Sequence, residues 1–178
     1  MIYQSSKTIE AALKAKDLRC DVMEGPDSSA VVTGFDLKSG DSATIHFISM
    51  SDANDVAVRV FGFAKGDPAK LAPVVNDLNC KFRYAKFTLR DGGEVCVELD
   101  VPQETTDLGK VAFELLVRSL DIMAEASPDL KAAGAEIKAA QAPAEPAAPA
   151  APAAPAAPAE PEHKKGFLGG LFGGGNGK

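Results

Sequence analysis

The stretch Lys81–Pro102, KFRYAKFTLRDGGEVCVELDVP, constrains the fold of this chain more than any other. Val95, Val97, Leu99 and Val101 alternate with Glu94, Cys96, Glu98 and Asp100, the period-two pattern of a half-buried strand. An aromatic-rich run, Phe82–Leu89, precedes it. Asp91-Gly92-Gly93 between them is turn chemistry, because glycine reaches positive φ without steric cost. A two-residue loop would set Leu89 opposite Glu94 and turn an apolar face against a charged one. A three-residue loop pairs Leu89 with Val95, Phe87 with Val97 and Ala85 with Leu99. It also sets Arg90 opposite Glu94 and Lys86 opposite Glu98. Each opposite-charge pair contributes only about 0.2–1 kcal/mol. The agreement of both faces decides the register, since a one-residue slip would invert both. The sequence therefore predicts three loop residues, with Cys96 on the outer face opposite Thr88.

Composition divides the chain of 178 residues. Residues 1–140 read as one domain, long enough for one hydrophobic core. Residues 141–162 form an Ala/Pro-rich linker, and residues 163–178 a Gly/Phe/Leu-rich end. The first segment carries 16 basic and 22 acidic side chains and the rest three of each, so the net charge of −6 belongs to the domain. A surplus of carboxylates argues against sequence-independent nucleic-acid binding. Cys20, Cys80 and Cys96 fit neither a zinc pattern nor CxxC and read as reduced thiols. Met1–Glu10 lacks the apolar region of a secretory signal. Apolar runs of spanning length are interrupted by proline. A cytoplasmic location is the expectation.

In chain order, Ser5 or Ser6 is expected to cap a helix to about Lys16, with Ile9, Ala12 and Leu13 on one face. Strands are expected at Leu18–Met23, Ala30–Leu37, Thr44–Met50 and Val56–Phe63, joined by turns short enough to require antiparallel neighbours. Residues 44–50 and 56–63 carry apolar groups on both parities, which places them centrally in the sheet. Gly62 inside a strand predicts a bulge or a close contact. Leu71, Val74, Val75 and Leu78 have helical spacing, and Pro73 restricts the regular helix to about Ala72–Asn79. After the hairpin, Thr105 or Thr106 is expected to cap the longest helix, to about Ala126. Ser127-Pro128-Asp129 then divides it from a weaker helix, Asp129–Ala140. The order α-β-β-β-β-α-β-β-α-α means an α+β fold, an antiparallel sheet of about five to six strands with helices packed on it.

Asn76-Asp77-Leu78-Asn79, then Phe82–Leu89, then Gly93–Leu99 resemble the YbjN family, whose members show an "lNelN…lrfgkfyl…dGevvleadlp" run in this place. The Thr8–Leu18 helix and the Cys20–Met23 strand are similar in position and pattern. The resemblance covers about residues 5–127. Ala85 stands where many members have glycine, and Pro73 interrupts the preceding helix. The resemblance implies a bacterial cytoplasmic domain with a fold like type III secretion chaperones, acting as a sensory-transduction or stress-response regulator. It brings no catalytic residues or cofactor, and implies homodimerisation and peptide binding as expectations.

The residues themselves carry little catalytic chemistry. His46 lies mid-strand and His163 lies in the tail; no HExxH, GxxxxGK[ST], GxGxxG or EF-hand pattern occurs. A non-enzymatic binding protein without cofactor or metal is the expectation. Pro143, Pro146, Pro149, Pro152, Pro155, Pro158 and Pro161 recur every third residue, matching the three-residue turn of polyproline II. About 20 such residues at roughly 3.1 Å each make a stiff spacer on the order of 60 Å long. Beyond it come Lys164, Lys165, Phe167, Leu168, Leu171 and Phe172. Burying four large apolar side chains yields about 6–12 kcal/mol, and ordering six residues costs about as much. Such a hook docks weakly, or in several copies. A protein partner is expected rather than nucleic acid. Contact with a membrane surface through the lysines and Phe/Leu is the alternative, weakened by Glu160 and Glu162.

Overall fold

The computed structural model describes residues 1–137. Its elements are α1 (Gln4–Lys14), β1 (Asp21–Glu24), β2 (Ser29–Asp36), β3 (Ser42–Ser49), β4 (Val56–Lys65), α2 (Pro68–Lys81), β5 (Lys86–Arg90), β6 (Glu94–Asp100), α3 (Leu108–Ala132) and β7 (Glu136–Ile137). All strand pairs are antiparallel, in the order β1-β2-β3-β4-β6-β5, with β7 beside the end of β4. β3 and β4 are central, as their two-sided apolar content requires. The fold is α+β. Among the described residues, no helix is long and apolar enough to cross a membrane.

Alternation on the strands builds one core. Ala43, Ile45 and Phe47 of β3 are buried while Thr44, His46 and Ile48 are half-buried on the other side. Val58 and Val60 of β4 and Val95, Val97 and Leu99 of β6 continue the buried face. Ile9 and Leu13 of α1, Leu71, Val75 and Leu78 of α2, and Ala112, Leu116, Met123 and Leu130 of α3 pack in the same cluster. The outer sheet face is covered by no helix among the described residues.

The β5–β6 hairpin has the predicted three-residue loop. Lys86 pairs with Glu98, Phe87 with Val97, Thr88 with Cys96, Leu89 with Val95 and Arg90 with Glu94. Gly62 sits in the expected bulge: the β4–β6 register shifts between Val60 and Ala64, and Gly62 has φ +58°.

Helix boundaries differ from the expectation, each for a local reason. Ser5 and Ser6 do not cap α1. The N-cap is Tyr3, and its first free N–H groups go to groups distant in sequence: Tyr3 donates to Ser29 Oγ at 3.1 Å and Gln4 to Asp52 Oδ1 at 2.7 Å. The two serines are buried inside the first turn, where Ser6 Oγ bonds the Ser29 and Ser49 hydroxyls at 2.9 Å each. α2 begins earlier than Ala72, because Asp67 accepts from the Ala69 N–H and Pro68 occupies the first turn, where proline is tolerated. Pro73 lies within the helix and forgoes one backbone bond. Asp107 rather than a threonine caps α3, accepting from the Lys110 N–H at 3.1 Å.

α3 also continues through Pro128 to Ala132, so the expected break at Ser127–Asp129 is absent. Ser127 donates its hydroxyl to the Met123 carbonyl at 2.9 Å in the turn where the proline supplies no N–H. Buried Ala126 and Leu130 hold the helix on the core across that defect. The weaker helix expected over 129–140 is instead the last turn of α3, a turn at Gly134, and the two-residue strand β7; residues 138–140 lie outside the described residues.

Candidate protein-docking groove

The sequence-predicted hook residues Lys164, Lys165, Phe167, Leu168, Leu171 and Phe172, and the linker before them, lie outside the described residues. His46, Cys96 and the charged residues of the hairpin lie on the outer sheet face. His46 is half-buried and meets Phe61 edge-on, ring centroids 5.2 Å apart. Burial holds its pKa below the ordinary 6.5. Arg90 lies over the other reach of the same Phe61 ring, 5.5 Å from its centroid. The expected cross-strand charge pairs are in register, but the close carboxylate contacts fall on other partners. Glu98 lies 3.8 Å from Arg90, 4.0 Å from Arg59 and accepts from the Thr88 hydroxyl at 2.9 Å. Arg59 of β4 also pairs with Asp100 at 2.8 Å.

Cys96 sits opposite Thr88 as expected, but it is buried rather than open to solvent. The β4 bulge is the reason. Three residues of β4, Phe61 to Phe63, span the gap opposite it, and the Gly62 N–H approaches its sulfur at 3.4 Å. Cys20 is partly buried and Cys80 exposed, both free thiols. Burial pushes the Cys20 thiol up; Lys14 opposes this and Glu10 and Asp21 reinforce it. No cluster of three or more His, Cys, Asp and Glu side chains suited to a metal ion occurs among the described residues.

A concave surface lies elsewhere, where α3 meets the segment joining α2 to β5. Asn79 near the end of α2 sets that segment. Its amide accepts from the Phe87 N–H at 2.7 Å and donates to the Phe87 carbonyl at 2.9 Å. One side chain thus completes the edge of β5 as a neighbouring strand would. The chain between, Phe82–Ala85, arches over the middle of α3.

A groove of about 570 Å³ follows, lined by Phe82, Phe113, Val117, Ile122 and by Glu114, Arg118, Asp121 and Glu125. A second hollow of about 450 Å³ lies on the other side of Phe82, lined by Arg83, Tyr84, Lys86 and Glu98 among others. Among the described residues six large apolar side chains are exposed, and two of them, Tyr84 (61%) and Val117 (43%), converge here. Arg118 bridges the two hollows, stacked 4.4 Å from the Tyr84 ring centroid. Lys81 pairs with Glu125 at 2.9 Å, which raises the Lys81 pKa, and Lys16 lies over Phe113 at 5.3 Å.

Sequence reading did not find this groove. Phe113 and Val117 sit on the flank of a helix whose main apolar face is turned to the sheet, and their partners come from a loop more than twenty residues away in sequence. One signal was in view. The run Lys81–Arg90 contains four basic and no acidic residues, with Phe82, Tyr84 and Phe87 interleaved, inside an otherwise acidic domain.

A family model, YbjN, described as "Putative bacterial sensory transduction regulator", matches residues 5–131. Comparison with curated proteins gives no match.

Proposed function

The chain belongs to the YbjN family, and from that premise we propose that it is a non-enzymatic regulatory module that acts by docking another polypeptide. The observation that carries this reading is the groove itself. Val117 is exposed over an apolar floor of Phe82, Phe113 and Ile122, with exposed Tyr84 lining the adjoining hollow, a concave site of the size and character that takes peptide side chains. A non-enzymatic role is supported by the surroundings of His46, which packs against Phe61 in a half-buried position rather than against a nucleophile. The hook of Lys164, Lys165, Phe167, Leu168, Leu171 and Phe172 adds a second, tethered contact, weak by itself and effective through its link to the first.

Affinity recovery from cell extract tests this. The intact chain retains partner polypeptides; Val117→Asp, at an exposed position, folds normally and loses them. Deleting residues 163–178 leaves folding unchanged and lowers recovery. Equal recovery by all three proteins would refute the docking reading.

Peripheral membrane contact through the tail is the second reading, favoured by Lys164-Lys165 next to Phe167-Leu168. Co-sedimentation of the intact chain with anionic liposomes at low salt separates the two. A chain that stays in the supernatant defeats the membrane reading.

A further inference from the structure

Resting on the docking reading above, we infer that the segment entering this groove is acidic as well as apolar. The charges around the groove are unequally satisfied. Each carboxylate lining it already faces a lysine: Asp121 lies 2.7 Å from Lys38, Glu125 2.9 Å from Lys81, and Glu114 4.0 Å from Lys110. Arg83 and Lys86 of the adjoining hollow, and Arg118 on α3 itself, have no ion-pair partner among the described residues. Glu98 and Asp100, the acids nearest Lys86 along β6, are engaged by Arg59 and Arg90.

That is the reverse of what composition would leave over. In a domain with 22 acidic and 16 basic side chains, the unpaired groups at a random site are carboxylates. Here they are cations, gathered beside the most exposed aromatic ring of the groove. Arg118 sits over the Tyr84 ring, a contact that leaves its guanidinium N–H groups free to donate. The floor of Phe82 and Val117 is contiguous with these cations, because Phe82 lines both hollows.

An extended segment alternating carboxylates with large apolar side chains satisfies both requirements. Its carboxylates meet Arg83, Lys86 and Arg118, and its apolar groups take the floor. A nucleic acid fits less well: its phosphates follow one another without the large apolar side chains that Val117 and Ile122 would bury, and Glu114, Asp121 and Glu125 line the same groove.

Fluorescence anisotropy of a labelled synthetic peptide of Glu-Leu-Glu-Phe repeats, titrated with the full-length chain, tests the inference. The peptide binds, and added salt weakens it, since the contacts are exposed. A Lys-Leu-Lys-Phe counterpart and a single-stranded oligothymidylate do not compete. The combined variant Arg83→Glu, Lys86→Glu, Arg118→Glu binds at least about tenfold more weakly with an unchanged melting temperature. The inference is overturned if the acidic peptide fails to bind, if the lysine peptide or the oligonucleotide displaces it, or if the charge-reversed variant binds it as tightly. Val117→Asp separates the two levels. Loss of binding in Val117→Asp with none in the charge-reversed variant leaves the groove as a docking site without charge selection. Undiminished binding in both removes the docking site too.

Discussion

Asn79 gives both ends of its amide to Phe87, holding the N–H and the carbonyl of one strand residue. Replacing it with alanine leaves the Phe87 N–H and carbonyl without partners at a half-covered edge. Asn79→Ala is expected to lower stability by about 1–3 kcal/mol in urea denaturation. Asn79→Asp, which retains the acceptor but not the donor, lies between. His46 gives the pH dependence of the same sheet. Burial lowers its folded pKa, so the unfolded chain takes up the proton first as pH falls below 6.5. Its neutral form is favourable at pH 8, and stability falls through the window from 6.5 down to the lowered folded pKa. Melting temperatures of the wild type and of His46→Gln, compared at pH 8 and pH 5.5, should show the smaller decline in the variant. Neither role was visible from spacing. The bonds of Asn79 depend on how α2 docks on β5, and His46 packs against Phe61 on another strand.

At the scale of elements, the hairpin was the most legible part of the chain, because apolar alternation, turn glycines and opposite charges all specify one register. Its two glycines have unequal duties. Gly92 has φ +80° with open space around its Cα, whereas Gly93 has φ +79° and an added Cβ would lie 1.9 Å from the Gly66 carbonyl oxygen. Gly93 also accepts from the Gly66 N–H at 3.1 Å, tying the turn to the start of α2. Gly92→Ala should cost about 1 kcal/mol, the conformational strain alone. Gly93→Ala should cost severalfold more, with thermal denaturation as the measurement; equal costs would show that the turn yields easily. Helix ends were less legible, since tertiary partners override local signals. Asp52 in the β3–β4 loop takes the Gln4 N–H that opens α1, and buried Leu130 carries α3 past a proline that reads locally as a stop. Asp41 shows the same kind of long-range tie. Burial alone would raise its pKa, but the Lys131 ammonium and the Ser39 hydroxyl hold it below the ordinary 3.8, joining the β2–β3 turn to the end of α3.

For the whole molecule, sequence patterning conveys a sheet with one helical layer, because each element must hide one face. It does not convey where two elements leave a gap between them. The groove is such a gap: its floor comes from the flank of α3 and its cations from the α2–β5 segment and from α3 itself. The proposed function turns on that gap receiving another polypeptide. The most direct measurement is photocrosslinking from a reactive amino acid placed at Val117, with the same group at exposed Lys70 on α2 as the comparison. A covalent adduct with a second polypeptide from position 117 and none from position 70 is the predicted result. No adduct at 117, or equal adducts from both positions, would contradict it.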